Sequence, residues 1–249
     1  MKLKYVALWM LILFPLFAIA KSEQDPWESF NRKVFGFNEV LDKTIMKPVA
    51  KGYQWITPKP VDKGISNFFS NLGEVKNIPN SLFQFKFKNA GTSSLRLVVN
   101  STVGIGGIFD VATRMGLEKH NEDLGQTLGH WGVKSGPYVM LPILGPSNVR
   151  DSITLIGDTY MQSQLTPLNL LELEPWQKNT LTVIKYIDIR ADLLAVESML
   201  TGDKYVAMRE LSIQLREFDV RDGDVPDAFI GDDTGDEEFI EEEYFDLDF

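Results

Sequence analysis

The chain has 249 residues, 44% hydrophobic and 24% charged, a balance that suits a folded body with a core of its own. It has no cysteine, which excludes disulfides, thiolate metal sites and a cysteine nucleophile. Its net charge of −10 is unevenly placed: residues 217–249 hold 15 acids and one base, so the remainder is near neutral and slightly basic, and no nucleic-acid partner is expected.

Residues 1–20 read as a secretory signal. Lys2 and Lys4 form the positive end, Val6 to Phe17 the apolar stretch, and Ala18-Ile19-Ala20 the cleavage site. The apolar run is short for a bilayer core of roughly 30 Å, so the expectation is export and cleavage, not a retained span. After it, Asp25 is placed to cap a helix with Pro26 at its first position and Glu28 completing a capping box. Trp27, Phe30, Val34, Phe37, Leu41 and Ile45 recur at helical spacing on one face. Lys43, Lys47 and Lys51 mark another side. They suit either a solvated face or a headgroup layer, and Pro48 is a candidate break.

Pro58-Lys59-Pro60 separates elements. Two apolar stripes follow, Val61, Ile65, Phe68 and Leu72, then Val75, Ile78, Leu82 and Phe85. The alternation at Phe83, Phe85 and Phe87 fits a short strand, but the helical flanks favour a helix end there. Thr92–Thr102 is a further helix, running into Gly104-Ile105-Gly106-Gly107. That cluster lacks the Lys-Ser/Thr ending of a phosphate loop and the spacing of a dinucleotide fingerprint, so it reads as a turn. His120, Glu122, Asp123 and His130 match no compact metal motif, and no nucleophile elbow is present.

Leu124–Asp151 is the least regular stretch. Five glycines (Gly125, Gly129, Gly132, Gly136, Gly145) and three prolines (Pro137, Pro142, Pro146) exclude a long helix, yet Tyr138–Leu144 is apolar. Such a segment is either buried under helices or set against lipid or a pore wall. Ser147 is expected to cap the next helix, with Val149, Ile153, Ile156 and Tyr160 as its stripe. A long helix begins at Pro175 and ends before Gly202, and Asp203 caps a last one through Leu215. Beyond it, acids alternate with Phe229, Ile230, Phe239, Ile240, Tyr244, Phe245, Leu247 and Phe249. This composition fits a largely disordered segment that either docks on a partner or only solubilises. The boundaries expected are 1–20 signal, 21–216 helical domain and 217–249 acidic tail.

Several collinear blocks resemble the MlaA (VacJ) family. They are Asp25-Pro26-Trp27-Glu28-Ser29-Phe30-Asn31-Arg32, Phe37-Asn38, Lys47-Pro48-Val49-Ala50, Asn67–Leu72, Asn100–Gly104, Gly107–Ala112, Glu122–Gly129, Gly136-Pro137-Tyr138, Leu141–Ser147 and Arg150-Asp151. They span about residues 25–205. The resemblance implies an all-α ring of amphipathic helices around a central channel in the periplasmic leaflet of the outer membrane. It implies passage of misplaced phospholipids inward to a periplasmic lipid carrier, trimeric porins as partners, and neither covalent chemistry nor a cofactor or metal. Phe37, Asn38, Gly104, Gly107, Tyr138, Leu141, Pro142, Ile143 and Leu144 are the candidate channel or mouth residues. Many members bear a lipid on a cysteine at the mature N-terminus; here Lys21 follows the cleavage site, so no lipid anchor is expected and a soluble periplasmic pool becomes an alternative. That alternative is an adaptor or lipid-binding protein that docks through its tail.

Overall fold

A computed structural model describes residues 24–197 and 202–224. The signal over 1–20 and the tail beyond 224 lie outside the described residues. The fold is all-α apart from one β-hairpin. In chain order it comprises α1 (Glu28–Leu41), a π-turn (Asp42–Met46), α2 (Lys47–Ile56), α3 (Lys59–Phe83), α4 (Phe87–Thr102), α5 (Val111–Arg114), α6 (Leu124–His130), β1 (Tyr138–Leu141), β2 (Gly145–Asn148), α7 (Val149–Leu165), a 3-10 turn (Pro167–Leu171), α8 (Pro175–Glu197) and α9 (Lys204–Val220).

Several expectations are corrected. Asp25 does not cap α1: Trp27 is the N-cap residue and no side chain caps there. Asp25 is instead fully buried, accepting from Asn31 Nδ2 at 2.8 Å, from the Tyr205 hydroxyl and from Arg209, which ties α1 to α9. Pro48 breaks nothing; the chain winds through the π-turn and Pro48 sits in the first turn of α2, where its missing N–H costs least. The two stripes of 61–85 belong to one 25-residue helix, α3, which continues through Pro79. The cap of α7 is Asn148, not Ser147, its side chain accepting from the Asp151 amide at 2.9 Å. Asp203 caps α9 as expected, and that helix runs on past residue 216 to Val220.

The Phe83–Phe87 alternation is a helix end, as its flanks suggested. Phe85 adopts φ +59°, its amide donates to Leu82 O and the Lys86 amide to Ser81 O. This is the paired-bond stop that helices commonly make with glycine. A side chain in this left-handed conformation costs roughly 1–2 kcal/mol.

α3 and α4 pack as a hairpin, α8 lies against α2 and α3, and α6, α7, α9 and the β-hairpin form the other end. The interior is unusual. Among the described residues 17 polar or charged residues are buried against ten hydrophobic ones, the reverse of a soluble globular core. The apolar cluster is small: Tyr138, Met140 and Tyr205, with Val34, Phe35, Val206, Met208 and Ile213 around it. Hydrogen-bonded knots hold the rest. Arg96 of α4 donates to Glu74 of α3 at 2.7 Å, to Leu117 O and Thr113 Oγ1, and to Asp110 at 3.1 Å. Tyr53 of α2 and Ser66 of α3 both donate to Asp188 of α8, at 2.8 and 3.0 Å. Conversely, Phe37, Val40, Trp55, Ile56, Val98, Ile105, Ile153 and Ile156 stand exposed. Much of the predicted apolar face of α1, including Phe30 and Phe37, therefore stays outside the core, which Val34 and Phe35 reach, and the one residue the helix fully buries is Asn31.

Candidate functional site

The stretch 138–148 forms a two-stranded antiparallel hairpin, with Tyr138 opposite Asn148 and Leu141 opposite Gly145. Its glycines and prolines do not prevent strand pairing because only four residues per strand take part. One edge of β1 pairs with β2; the other would be left with open backbone groups. Side chains fill that edge. Asn31 donates to Tyr138 O at 3.1 Å and accepts from the Met140 amide at 2.9 Å. Seven residues on, two turns along the same face of α1, Asn38 donates to Leu141 O at 2.9 Å and accepts from the Ile143 amide at 2.8 Å. The Tyr138 amide donates to Gln24 O. The strand is thus buried against α1, while its tip, Pro142-Ile143-Leu144, is exposed.

Beside the hairpin lies a cavity of about 1020 Å³ bounded by α6, α7 and α9 and touched by Tyr186 of α8. It is at the upper end of the roughly 300–1,000 Å³ typical of single-ligand sites. Its apolar wall includes Leu141, Leu144, Val133, Leu155 and Ile213. Its polar wall is an ion-pair chain. Arg216 of α9 grips Asp123, the cap of α6, with two bonds of 2.7 Å and reaches Asp151 at 2.5 Å; Arg150 also donates to Asp151, at 2.8 Å. One arginine therefore ties the first turns of α6 and α7, where carboxylates are favoured by the helix dipole. Burial pushes the Asp123 carboxyl up, but the Arg216 bonds outweigh it and leave it below the usual range. Burial depresses Arg216 less than its two carboxylates raise it. Asp158, on the α7 side, accepts from the Leu124 amide and is raised chiefly by burial. Tyr138 borders the cavity; its hydroxyl is buried with no hydrogen-bond partner among the described residues, and burial raises its pKa.

Of the candidate residues, Tyr138, Leu141 and Leu144 line this cavity. Asn38 fastens the hairpin, Phe37 stands exposed beside it on α1, and Pro142 and Ile143 form the tip. Gly104 and Gly107 lie elsewhere, in the turn after α4. A Cβ on Gly104 would meet Phe109 O at 2.2 Å, and one on Gly107 would meet Asn71 at 2.7 Å, so both serve close packing there. The charged wall of Arg150, Asp151, Asp158 and Arg216 was not among the candidates. Its signal was faint: carboxylates at helix starts, and an arginine on a helix otherwise read for its apolar stripe. His130 lines the cavity, whereas His120 contributes its backbone oxygen to Asn77. Among the described residues no group of His, Asp and Glu is arranged to hold a metal, and no helix is long and apolar enough to cross a membrane.

Residues 23–219 match the family model described as MlaA lipoprotein. The chain is 33% identical over 211 residues to the intermembrane phospholipid transport system lipoprotein MlaA of Shigella flexneri, covering 82% of each chain. It is 32% identical over 214 residues to the protein of that name in Escherichia coli K12, again over 82% of each. An uncharacterised Rickettsia prowazekii protein is 36% identical over 199 residues, covering 79% of this chain and 78% of its own. A solved structure reported under "Structural basis for maintenance of bacterial outer membrane lipid asymmetry" superposes with TM-score 0.67 at 35% identity, over 79% of this chain and 99% of that one.

Proposed function

The chain belongs to the MlaA family, and from that premise we propose that it removes misplaced phospholipids from the outer leaflet of the outer membrane and so maintains lipid asymmetry. The observation that carries this reading is the inverted distribution of side chains, polar within and apolar without. A fold that has no helix long and apolar enough to cross a membrane among its described residues, and that exposes such a surface, suits one leaflet, with its apolar belt among acyl chains. The cavity beside the hairpin is the proposed channel or its mouth. Its apolar wall at Leu141 and Leu144 would take acyl chains, and its ion-paired wall the headgroup. Irregular backbone at membrane depth is tolerable where it lines such a space.

On this reading the protein transfers lipid without covalent chemistry, hands it to a periplasmic carrier and sits beside a trimeric porin. On the same reading the exposed apolar belt and the partners hold the protein at the membrane. The test uses cells lacking the endogenous family member, complemented with this chain. Outer-leaflet phosphatidylethanolamine is labelled with an impermeant amine reagent, and the protein is fractionated. Restored low labelling with protein in the outer membrane is the expected result. Unchanged high labelling despite normal expression overturns the transport reading. Recovery as a soluble, lipid-free periplasmic protein supports the adaptor alternative.

A further inference from the structure

We propose that the acidic segment 225–249 docks, within the same chain, on an aromatic knuckle formed by Phe85, Phe87 and Trp131. The knuckle is well defined. The Phe85 ring meets Trp131 edge to face at 5.5 Å and lies 6.2 Å from Phe87, and the Trp131 indole N–H donates to Phe83 O at 3.0 Å. It is nonetheless uncovered: Phe85 is 63% exposed, Phe87 66% and Trp131 58%. Phe85 also occupies the left-handed position at the end of α3 that glycine fills without strain. A strained and exposed phenylalanine gains little from its own fold, so its benefit lies in what covers it.

The path of the chain says what that is. Lys86, between the two phenylalanines, is ion-paired with Asp222 and with Glu122. α9 ends at Val220, and the chain then turns tightly, the Gly223 amide donating to Phe218 O at 3.0 Å. The segment therefore departs from beside the knuckle. Phe229 and Ile230 follow Asp224 by five and six residues, within roughly 20 Å of extended chain. Residues 225–249 carry 11 acids and no base, with Phe239, Ile240, Tyr244, Phe245, Leu247 and Phe249 among them. Lys88 and Lys134 adjoin the knuckle in sequence, are exposed, and form no ion pair among the described residues. Aromatic meets aromatic and acid meets base, and so short a tether holds the segment at an effective concentration on the order of millimolar. An anionic lipid surface would suit the same lysines, but it has neither the tether nor the Lys86–Asp222 anchor.

The test is site-specific photocrosslinking in the full-length chain expressed in Gram-negative cells. Phe85 is replaced by p-benzoylphenylalanine, with parallel probes at Phe87 and Trp131 in case the strained position folds poorly. Adducts are mapped by mass spectrometry. The expected result is adducts inside 225–249 at the mass of a single chain, with a severalfold lower yield in the Lys88→Glu, Lys134→Glu variant. Adducts confined to phospholipid, to another protein or to a second copy overturn the proposal. So does the absence of an intrachain adduct at all three probe sites.

Discussion

Arg96 and Glu74 are each 1% exposed and joined at 2.7 Å, with Asn77 donating to the second Glu74 oxygen and Thr113, Leu117 and Asp110 taking the rest of the guanidinium. Two buried charges are tolerable only because nearly every polar atom is answered. Arg96→Met leaves the buried Glu74 side chain without its charged partner, and the expected loss is about 3–5 kcal/mol in unfolding experiments in detergent. The double variant Arg96→Met, Glu74→Gln should recover much of it; no recovery would mean that the arginine acts through Thr113 and Asp110 instead. Glu197 gives a pH signature. Burial alone would raise it, but bonds from Lys47, Arg190 and Lys204 bring its pKa down to about 2. A carboxyl lowered by folding stabilises above its unfolded value of about 4.5, and this contribution fades as pH falls toward about 2. Unfolding midpoints measured from pH 5 to pH 2 should drop less steeply in Glu197→Gln than in the parent chain. Equal slopes would place the acid sensitivity elsewhere.

Asn31 and Asn38 act at the scale of the element, because together they do for β1 what a third strand would do. Each side-chain amide makes two bonds to the hairpin, and a net contribution of about 0.5–1.5 kcal/mol per bond is expected. Asn38→Ala should free the tip selectively: amide exchange at Ile143 accelerates while Met140, held by Asn31, stays protected. Equal acceleration at both would show that the hairpin opens as one unit. The other end of this assembly depends on close approach. A Cβ on Gly125 would lie 2.3 Å from both Arg216 and Asp151, so Gly125→Ala should displace the ion-pair chain and cost about 1–3 kcal/mol by thermal unfolding. Much of this level was legible in the sequence. The helices α1, α4, α7, α8 and α9, the stop at Phe85 and the Asp203 cap follow from periodicity and capping chemistry, which act over a few residues, whereas the short helices α5 and α6 and the joining of two stripes into α3 do not. What was not legible depended on distant partners. Asp25 looks like a cap until Tyr205 and Arg209 arrive from α9, and the strand-fastening role of Asn31 and Asn38 cannot be seen until a strand from more than 100 residues away is laid against them. The cavity wall stayed hidden for the same reason, since Arg216 meets Asp123 and Asp151 only in the folded chain.

At the scale of the whole molecule the helical stripes carried information that periodicity could not orient. A stripe of apolar residues says that one face of a helix avoids water; it does not say whether protein or lipid covers that face. Here many of the stripes turn outward: Trp55 is 87% exposed, Ile56 68%, Ile153 67% and Ile156 75%, while Asn77, Asn80, Arg96 and Asp188 are buried. For a water-solvated protein this arrangement would forfeit hydrophobic stabilisation on one side and incur polar burial on the other. Against acyl chains the outer cost vanishes, and most of the buried polar residues are satisfied by the knots that join the helices, Ser81 and Ser93 being exceptions. A direct expectation follows for the belt. A charge moved among acyl chains disfavours partition by up to roughly 3 kcal/mol. Trp55→Glu combined with Ile156→Lys should therefore shift the protein from the membrane fraction toward the soluble one, with helical content by circular dichroism unchanged because neither side chain holds the interior. The matched control is Lys88→Glu, which alters charge outside the belt and should leave fractionation as it was. If the double variant stays with the membrane while keeping its helices, the exposed apolar surface is not what meets the lipid, and the inverted interior needs another explanation.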